Sequence, residues 1–405
     1  MSYSLQLNEP MVNKRIYLDY ASLTPIDPAV LSIMKKYSSH TFANPSSIYK
    51  EGVAAKNALA DARSHVASFI HAHPDEIIFT AGGTEANNMA ILGTVEHARS
   101  LGVPYKDMHV IVNTIEHSSV IECANRLTEL EVTVSIVPVN EYGIVDLAEL
   151  KKNIRPNTVL VSIMTVNNEV GSIQPIRDIA KIVRDARKVN HEKSPFAFQN
   201  EIAYPLFHTD AAQAALYYDL NVEKNGVDLL TLDSSKMYGP RGTGALFVKR
   251  TVTIKPIIVG GGQEKGMRSG TENIPALMGF SKACEIALQT REKEQDRLAE
   301  LKNFFYNGLI AIQSDIRLNG SADGSPHILN VAIPGIANEF FVLQLDARGI
   351  QCSTKSSCLH DSDESYVLKA IDAPNSISVR FSFGRFTKRG DLKYALKQIE
   401  SILKN

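Results

Sequence analysis

Lys236 sits in Thr231-Leu-Asp-Ser-Ser-Lys-Met-Tyr-Gly-Pro-Arg-Gly-Thr-Gly244, just after an apolar run and just before a turn rich in glycine and proline. A lysine in a partly desolvated loop loses basicity and can condense with a carbonyl group, whereas a solvated one stays an inert cation. Asp210 stands in Phe207-His-Thr-Asp-Ala-Ala-Gln213, after an apolar stretch and among small residues. A carboxylate at the end of a buried strand needs a cation or hydrogen-bond donors, because an unpaired buried charge is costly. A structural ion pair would satisfy it, and so would a protonated ring nitrogen. His117, in Thr114-Ile-Glu-His-Ser118, is of the type that stacks on planar rings and moves protons near neutral pH. A loop hydrogen bond is its plainer role. The other ten histidines show no ligand spacing, and His71 and His73 have no third ligand beside them, so no metal site is expected.

Phe79-Thr-Ala-Gly-Gly-Thr-Glu-Ala-Asn-Asn88 places small residues between an apolar run and a helical pattern. Backbone can approach a ligand there, and the N–H groups of a helix start can hold an anion such as phosphate, which makes Gly83 and Thr84 candidates. Two glycines in such a turn also serve geometry alone. Asn167-Asn168-Glu169 ends another apolar run, where adjacent amides either bind a polar ligand or build a turn. Of the four cysteines, Cys123 and Cys284 fall in helical patterns with apolar neighbours, the setting of a small hydrophobe. Cys352 and Cys358 lie in Gly349-Ile-Gln-Cys-Ser-Thr-Lys-Ser-Ser-Cys-Leu359, where a loop thiol becomes a nucleophile once ionised.

Such residues need a frame. Short β-rich runs at 76–80, 109–113, 132–138, 158–165, 229–232 and 244–248 alternate with helical patterns at 52–70, 84–100, 118–130 and 176–190. That alternation specifies βαβ units in an α/β fold with a mostly parallel sheet, whose ligand sites lie beyond the carboxyl ends of the strands. Residues 194–207 read as a surface excursion. From 274 to 312 one long amphipathic helix is expected, followed by strands at 327–333 and 376–383 and a closing helix at 388–403. The organisation is then a large domain over 17–262 and a smaller α+β domain made of 1–16 and 263–405. A chain of 405 residues with 44% hydrophobic and 21% charged residues is an ordinary globular chain. Its 43 basic and 44 acidic residues give no net attraction to nucleic acid or to an anionic membrane. No apolar run approaches the roughly 20 residues of a membrane span. The N-terminus lacks a signal core, and four cysteines are too few for a disulfide framework, so a cytoplasmic enzyme with free thiols is expected.

The order of these segments resembles the cysteine desulfurases, class V aminotransferases that depend on pyridoxal 5'-phosphate. The resemblance rests on Tyr17-Leu-Asp-Tyr-Ala-Ser-Leu-Thr-Pro25, Asn44-Pro-Ser-Ser47, Gly83-Thr-Glu85, Glu116-His117 and Val166-Asn-Asn-Glu-Val-Gly171. It continues through Asp210 with Gln213, Lys236-Met-Tyr-Gly-Pro240, Gly266-Met-Arg-Ser-Gly-Thr271, the cysteine loop and Ser378-Val-Arg-Phe-Ser-Phe-Gly-Arg-Phe386. It implies the aspartate aminotransferase type I fold, with Lys236 carrying the cofactor as a Schiff base and Asp210 facing its ring nitrogen. His117 would stack on the ring, and Asn168 and Gln213 would contact its substituents. Gly83, Thr84 and Ser235 would hold the phosphate, with Asp233 beside it and Thr271 reaching in from the other subunit of a homodimer. Arg380 and Asn168 would bind the carboxylate of L-cysteine, and Cys358 would take its sulfur as a persulfide. A sulfur-acceptor or scaffold protein is then the expected partner, in iron–sulfur cluster assembly or tRNA thiolation.

Three positions depart from the family pattern. Ser235 stands where histidine precedes the lysine, and Asp233 where serine stands three residues before it. An ionised Asp233 beside a phosphate would repel it, so this side chain is expected to point away, pair with a cation or take a proton. Lys355 also replaces a common glycine of the cysteine loop. A selenocysteine lyase or another lyase or aminotransferase of the same fold is the alternative activity, and a non-catalytic scaffold the alternative of another class.

Overall fold

The computed structural model describes residues 15–190, 195, 204–354 and 364–404. A short strand β1 (Ile16–Tyr17) precedes helices α1 (Pro28–His40) and α2 (Lys50–Phe69). Then come β2 (Ile77–Thr80), α3 (Gly83–Ser100), β3 (His109–Asn113), α4 (Ser118–Glu129), β4 (Thr133–Val137) and α5 (Leu147–Asn153). The alternation runs on through β5 (Thr158–Ser162), α6 (Ile176–Asn190), β6 (Leu206–Asp210), α7 (Val222–Asn225), β7 (Leu229–Asp233) and β8 (Gly244–Val248). Helix α8 (Ile274–Ile312) leads to β9 (Arg317–Asn319), β10 (Ile328–Ala332), α9 (Asn338–Asp346) and β11 (Ile350–Gln351). The chain closes with α10 (Tyr366–Ala370), β12 (Ser378–Ser382) and α11 (Arg389–Leu403).

Strands β2 to β8 form one sheet in the order β2-β8-β7-β6-β5-β3-β4. All neighbours run parallel except β8, which is antiparallel to both β2 and β7. The exception has a covalent cause: only residues 234–243 join β7 to β8, and a parallel neighbour needs a crossover of about a dozen residues or more. Every residue of β3, β5 and β6 is buried, as expected for strands covered on both faces. Opposite one another at one edge stand Thr80, Gly244 and Asp233. Glycine is required in the middle of that row, because a Cβ at Gly244 would lie 2.8 Å from the Gly82 Cα and 2.7 Å from the Leu232 carbonyl. Its absence lets the start of α3 come down against Asp233.

A second, antiparallel sheet has the order β12-β10-β9, and β1 pairs with β11. Helix α8 is 39 residues, about 58 Å at 1.5 Å per residue, and it is buried in two stretches. Its first half packs near α1 and α2, while Phe305 in its second half meets Phe381 and Phe383 edge-on, with ring centroids 5.0 and 5.8 Å apart.

Two expectations change. The stretch 194–207 is not a surface excursion at its end: Tyr204, Leu206 and Phe207 are buried, and β6 starts at Leu206 as a central strand. Helix α1 was not expected, although Asp27 accepts the Ala29 N–H and Pro28 takes the first helical position, a usual helix start. Among the described residues no helix is long and apolar enough to cross a membrane.

Candidate active site

Nine of the residues singled out from the sequence line one cavity of about 340 Å³ at the carboxyl edge of the large sheet: Gly83, Thr84, His117, Asn168, Asp210, Gln213, Asp233, Lys236 and Arg380. Parallel strands that end together explain the convergence, since β6 ends at Asp210 and β7 at Asp233, one tight turn before Lys236. The Lys236 amine donates to the carbonyls of Ala21 and Ser22, in the loop after β1.

Asp210 is 7% exposed, and its carboxylate is held by neutral donors. Oδ1 accepts the Ala212 N–H at 2.9 Å and Oδ2 accepts Nδ2 of Asn87 at 2.7 Å. Among the described residues no cation lies within ion-pair distance of it, so the negative charge faces the cavity uncompensated. Nδ2 of Asn87 also donates to Oγ of Ser119 at 2.8 Å, and that hydroxyl lies 2.8 Å from Nδ1 of His117. Nδ1 accepts the Ser119 N–H as well, capping α4 and leaving the ring proton of neutral His117 on Nε2. Next to His117, burial lifts the Glu116 carboxyl well above the usual carboxylate range, against the Met164 N–H bond that lowers it and with the Asp210 charge adding to the rise. Burial thus favours the neutral form of Glu116.

Gln213 is fixed from behind. Nδ1 of His327 pairs with the Ser325 hydroxyl at 2.7 Å, and its Nε2 lies 3.1 Å from Oε1 of Gln213, whose Nε2 donates to the Ala21 carbonyl at 2.8 Å. Burial lowers the His327 pKa to about 3, so this imidazole is neutral at any working pH.

Arg380 projects from β12 and is 1% exposed. One terminal nitrogen donates to the Asn168 carbonyl at 2.8 Å; the other donates to Oδ1 of Asp19 at 2.7 Å and Oγ of Ser22 at 2.9 Å. The guanidinium is thus buried with both terminal nitrogens engaged, and it lines the cavity, where its charge suits a second carboxylate.

The opposite end is built from the first turn of α3 and the turn before Lys236. Asp233 lines the cavity rather than pointing away from it, and among the described residues no cation pairs with it. Oδ2 accepts the Gly83 N–H at 3.1 Å, while Oδ1 accepts the Ser235 N–H at 2.8 Å and the Ser235 hydroxyl at 2.6 Å.

Two expected residues among those described are not part of this lining. Ser235 stands behind Asp233. Thr271 borders a different cavity of about 220 Å³ with Phe79, Thr80, Thr243 and Arg268, and the Arg268–Glu85 ion pair, at 2.8 Å, ties its segment to α3. Cys358 and Lys355 lie outside the described residues. Burial pushes the thiol of Cys352, just after β11, far up. Burial also raises the Cys123 thiol to about 12 and that of Cys284 further.

The model of the family described as aminotransferase class-V matches residues 16–394. The chain is 38% identical over 398 residues to "Cysteine desulfurase IscS" of Dictyoglomus turgidum, covering 97% of this chain and 95% of that protein. It belongs to the class-V aminotransferases, in their cysteine desulfurase branch. Among solved structures, one titled "NIFS-LIKE PROTEIN" superposes with a TM-score of 0.87 at 31% identity, covering 96% of this chain and all of that one. Another, "SspA in complex with cysteine", has a TM-score of 0.76 at 31% identity, covering 91% and 98%.

For a class-V family member the residues present fit pyridoxal phosphate at the ring end: an uncompensated buried carboxylate and a lysine amine face one cavity. At the phosphate end the donors are present but shared with Asp233. Asn87, Asp19 and Ser22 were not singled out from the sequence. Asn87 lies inside a motif quoted above, four residues after Gly83 and so on the same helix face, which is the signal that could have found it. Asp19 and Ser22 lie in the Tyr17–Pro25 segment, but nothing there points to a residue more than 350 positions away.

Proposed function

We propose that this chain is a pyridoxal-phosphate-dependent cysteine desulfurase that converts L-cysteine to L-alanine and leaves the sulfur on Cys358. The observation carrying this reading is the convergence of Lys236, Asp210 and Arg380 on one cavity of about 340 Å³. When bound, the cofactor supplies an electron sink that lets the substrate Cα give up its proton. Asp210 keeps a proton on the ring nitrogen, and His117 and Gln213 orient the ring. Arg380 binds the substrate carboxylate, its fork held by Asp19 and the Asn168 carbonyl. The Lys236 amine carries protons at Cα. Sγ of Cys358 attacks the substrate sulfur; the C–S bond breaks with its electron pair going to carbon, which is then protonated. L-Cysteine and the Cys358 thiol thereby become alanine and a Cys358 persulfide, with no external oxidant or reductant. The persulfide passes to an acceptor or scaffold protein in iron–sulfur cluster assembly or tRNA thiolation, in the cytoplasm.

In the same reading 17–262 is the cofactor domain and 1–16 with 263–405 the smaller one. The chain works as a homodimer in which Thr271 reaches the other subunit's cofactor phosphate, in keeping with its place away from its own Lys236. The direct test is incubation of the purified protein with L-cysteine and a thiol reductant, measuring alanine and sulfide together. A protein that shows the visible cofactor band yet yields neither product refutes the reading.

A further inference from the structure

Asp233 puts a negative charge at the place where the cofactor phosphate is expected. Its carboxylate accepts three donors at once: the Gly83 N–H, the Ser235 N–H and the Ser235 hydroxyl. The contact is close, since a Cβ on Gly83 would lie 3.2 Å from Oδ2. Gly83, Thr84 and Asp233 line the same cavity as Lys236. The N-terminus of an 18-residue helix attracts an anion through its unpaired N–H groups and its dipole, and here the chain supplies that anion itself. Among the described residues no cation lies within ion-pair distance of Asp233.

We propose that Asp233 is a built-in competitor for the cofactor phosphate. It holds cofactor affinity down in two ways, by occupying donors that the phosphate would use and by setting a like charge beside it. The inference rests on the cofactor reading above and goes beyond it: this site binds pyridoxal phosphate more weakly than its own geometry allows, so the cofactor exchanges. The penalty is specific to the phosphate. Pyridoxal, which lacks the phosphate, meets the ring end of the site only and escapes it.

The test uses the full-length protein, stripped of cofactor with hydroxylamine, as wild type, Asp233→Asn and Asp233→Ser. Asn keeps the shape of the side chain and Ser removes most of it, so the two do not share one route to misfolding. Each protein is titrated with pyridoxal phosphate and with pyridoxal by visible absorbance, and with inorganic phosphate by thermal shift. Both substitutions should tighten pyridoxal phosphate by about tenfold or more and enlarge the stabilisation by inorganic phosphate, with pyridoxal affinity constant to within about twofold. Unchanged or weakened pyridoxal phosphate binding in both variants overturns the proposal, as does an equal gain for pyridoxal. If none of the three proteins binds pyridoxal phosphate or is labelled at Lys236 on borohydride reduction, the cofactor reading falls and this inference with it.

Discussion

Asn87 is the residue through which the buried charge of the site is held. It is 1% exposed, and its Nδ2 donates to Oδ2 of Asp210 at 2.7 Å and to Oγ of Ser119 at 2.8 Å. A hydrogen bond to a charged group contributes about 1.5–3 kcal/mol and a neutral one about 1 kcal/mol. Asn87→Ala should therefore destabilise the protein by about 2.5–4 kcal/mol. Most of that loss should run through Asp210, which a double-mutant cycle isolates. With Asp210→Ala already in place the charged acceptor is gone, so removing Asn87 should cost only about 1 kcal/mol, a coupling of about 1.5–3 kcal/mol. Urea unfolding of the four proteins, stripped of cofactor and followed by far-ultraviolet circular dichroism, measures it. A coupling below about 0.5 kcal/mol would mean that Asn87 does not hold the Asp210 charge, and the network from Asp210 to His117 would fall with it.

Other outcomes follow from the same geometry. Cys358→Ser should keep the visible cofactor band, show no added sulfur by mass spectrometry after cysteine treatment, and form alanine at least about 100-fold more slowly; a persulfide on another cysteine would overturn the assignment. Arg380→Lys keeps a charge but loses the fork, and should raise KM for L-cysteine by about tenfold to 100-fold with the cofactor spectrum unchanged. An unaltered KM would remove Arg380 from carboxylate binding. Lys302 is buried with its amine on the carbonyls of Gly324 and Ser325, and burial lowers its pKa from 10.5 to about 8. Between those values the unfolded chain binds more protons than the native one, so stability rises with pH across the window and is lost as pH falls through about 8. The full change is roughly 3 kcal/mol, and Lys302→Met should flatten that part of the stability profile; equal slopes in both proteins would contradict it.

Local pattern carried most of the frame and of the site. The helix over 274–312 and the strands at 109–113 and 244–248 keep the limits their periodicity implies. Lys236, Asp210 and His117 stand at strand ends or just past them, because a parallel sheet gathers its connections at one edge. Strand direction is not written in periodicity, so β8 reads like its neighbours until the ten-residue connection at 234–243 is considered. The end of β6 at Asp210 is legible, but its start at Leu206 is not, because the apolar run is short and follows a stretch without pattern. An amide within a helix resembles surface, and only the approach of β6 shows what Asn87 binds. Asp233 was legible as a departure, and its reason for being charged was not: its partners are a backbone N–H 150 positions away and the turn that follows it.

The pairing of Asp19 with Arg380 spans 361 positions, and β1 joins β11 across nearly the same interval. The remaining cavity residues lie between Ala21 and Asp233 or Lys236. In order of synthesis, then, the residues expected to meet the cofactor have all been made by Lys236, whereas the end expected to meet the substrate closes only when β12 emerges about 140 residues later. Closing so long a loop late adds little entropic penalty over a shorter one, because that penalty grows only with the logarithm of length. In chain order the groups expected to meet the cofactor therefore come first, and the guanidinium expected to meet the substrate carboxylate comes last.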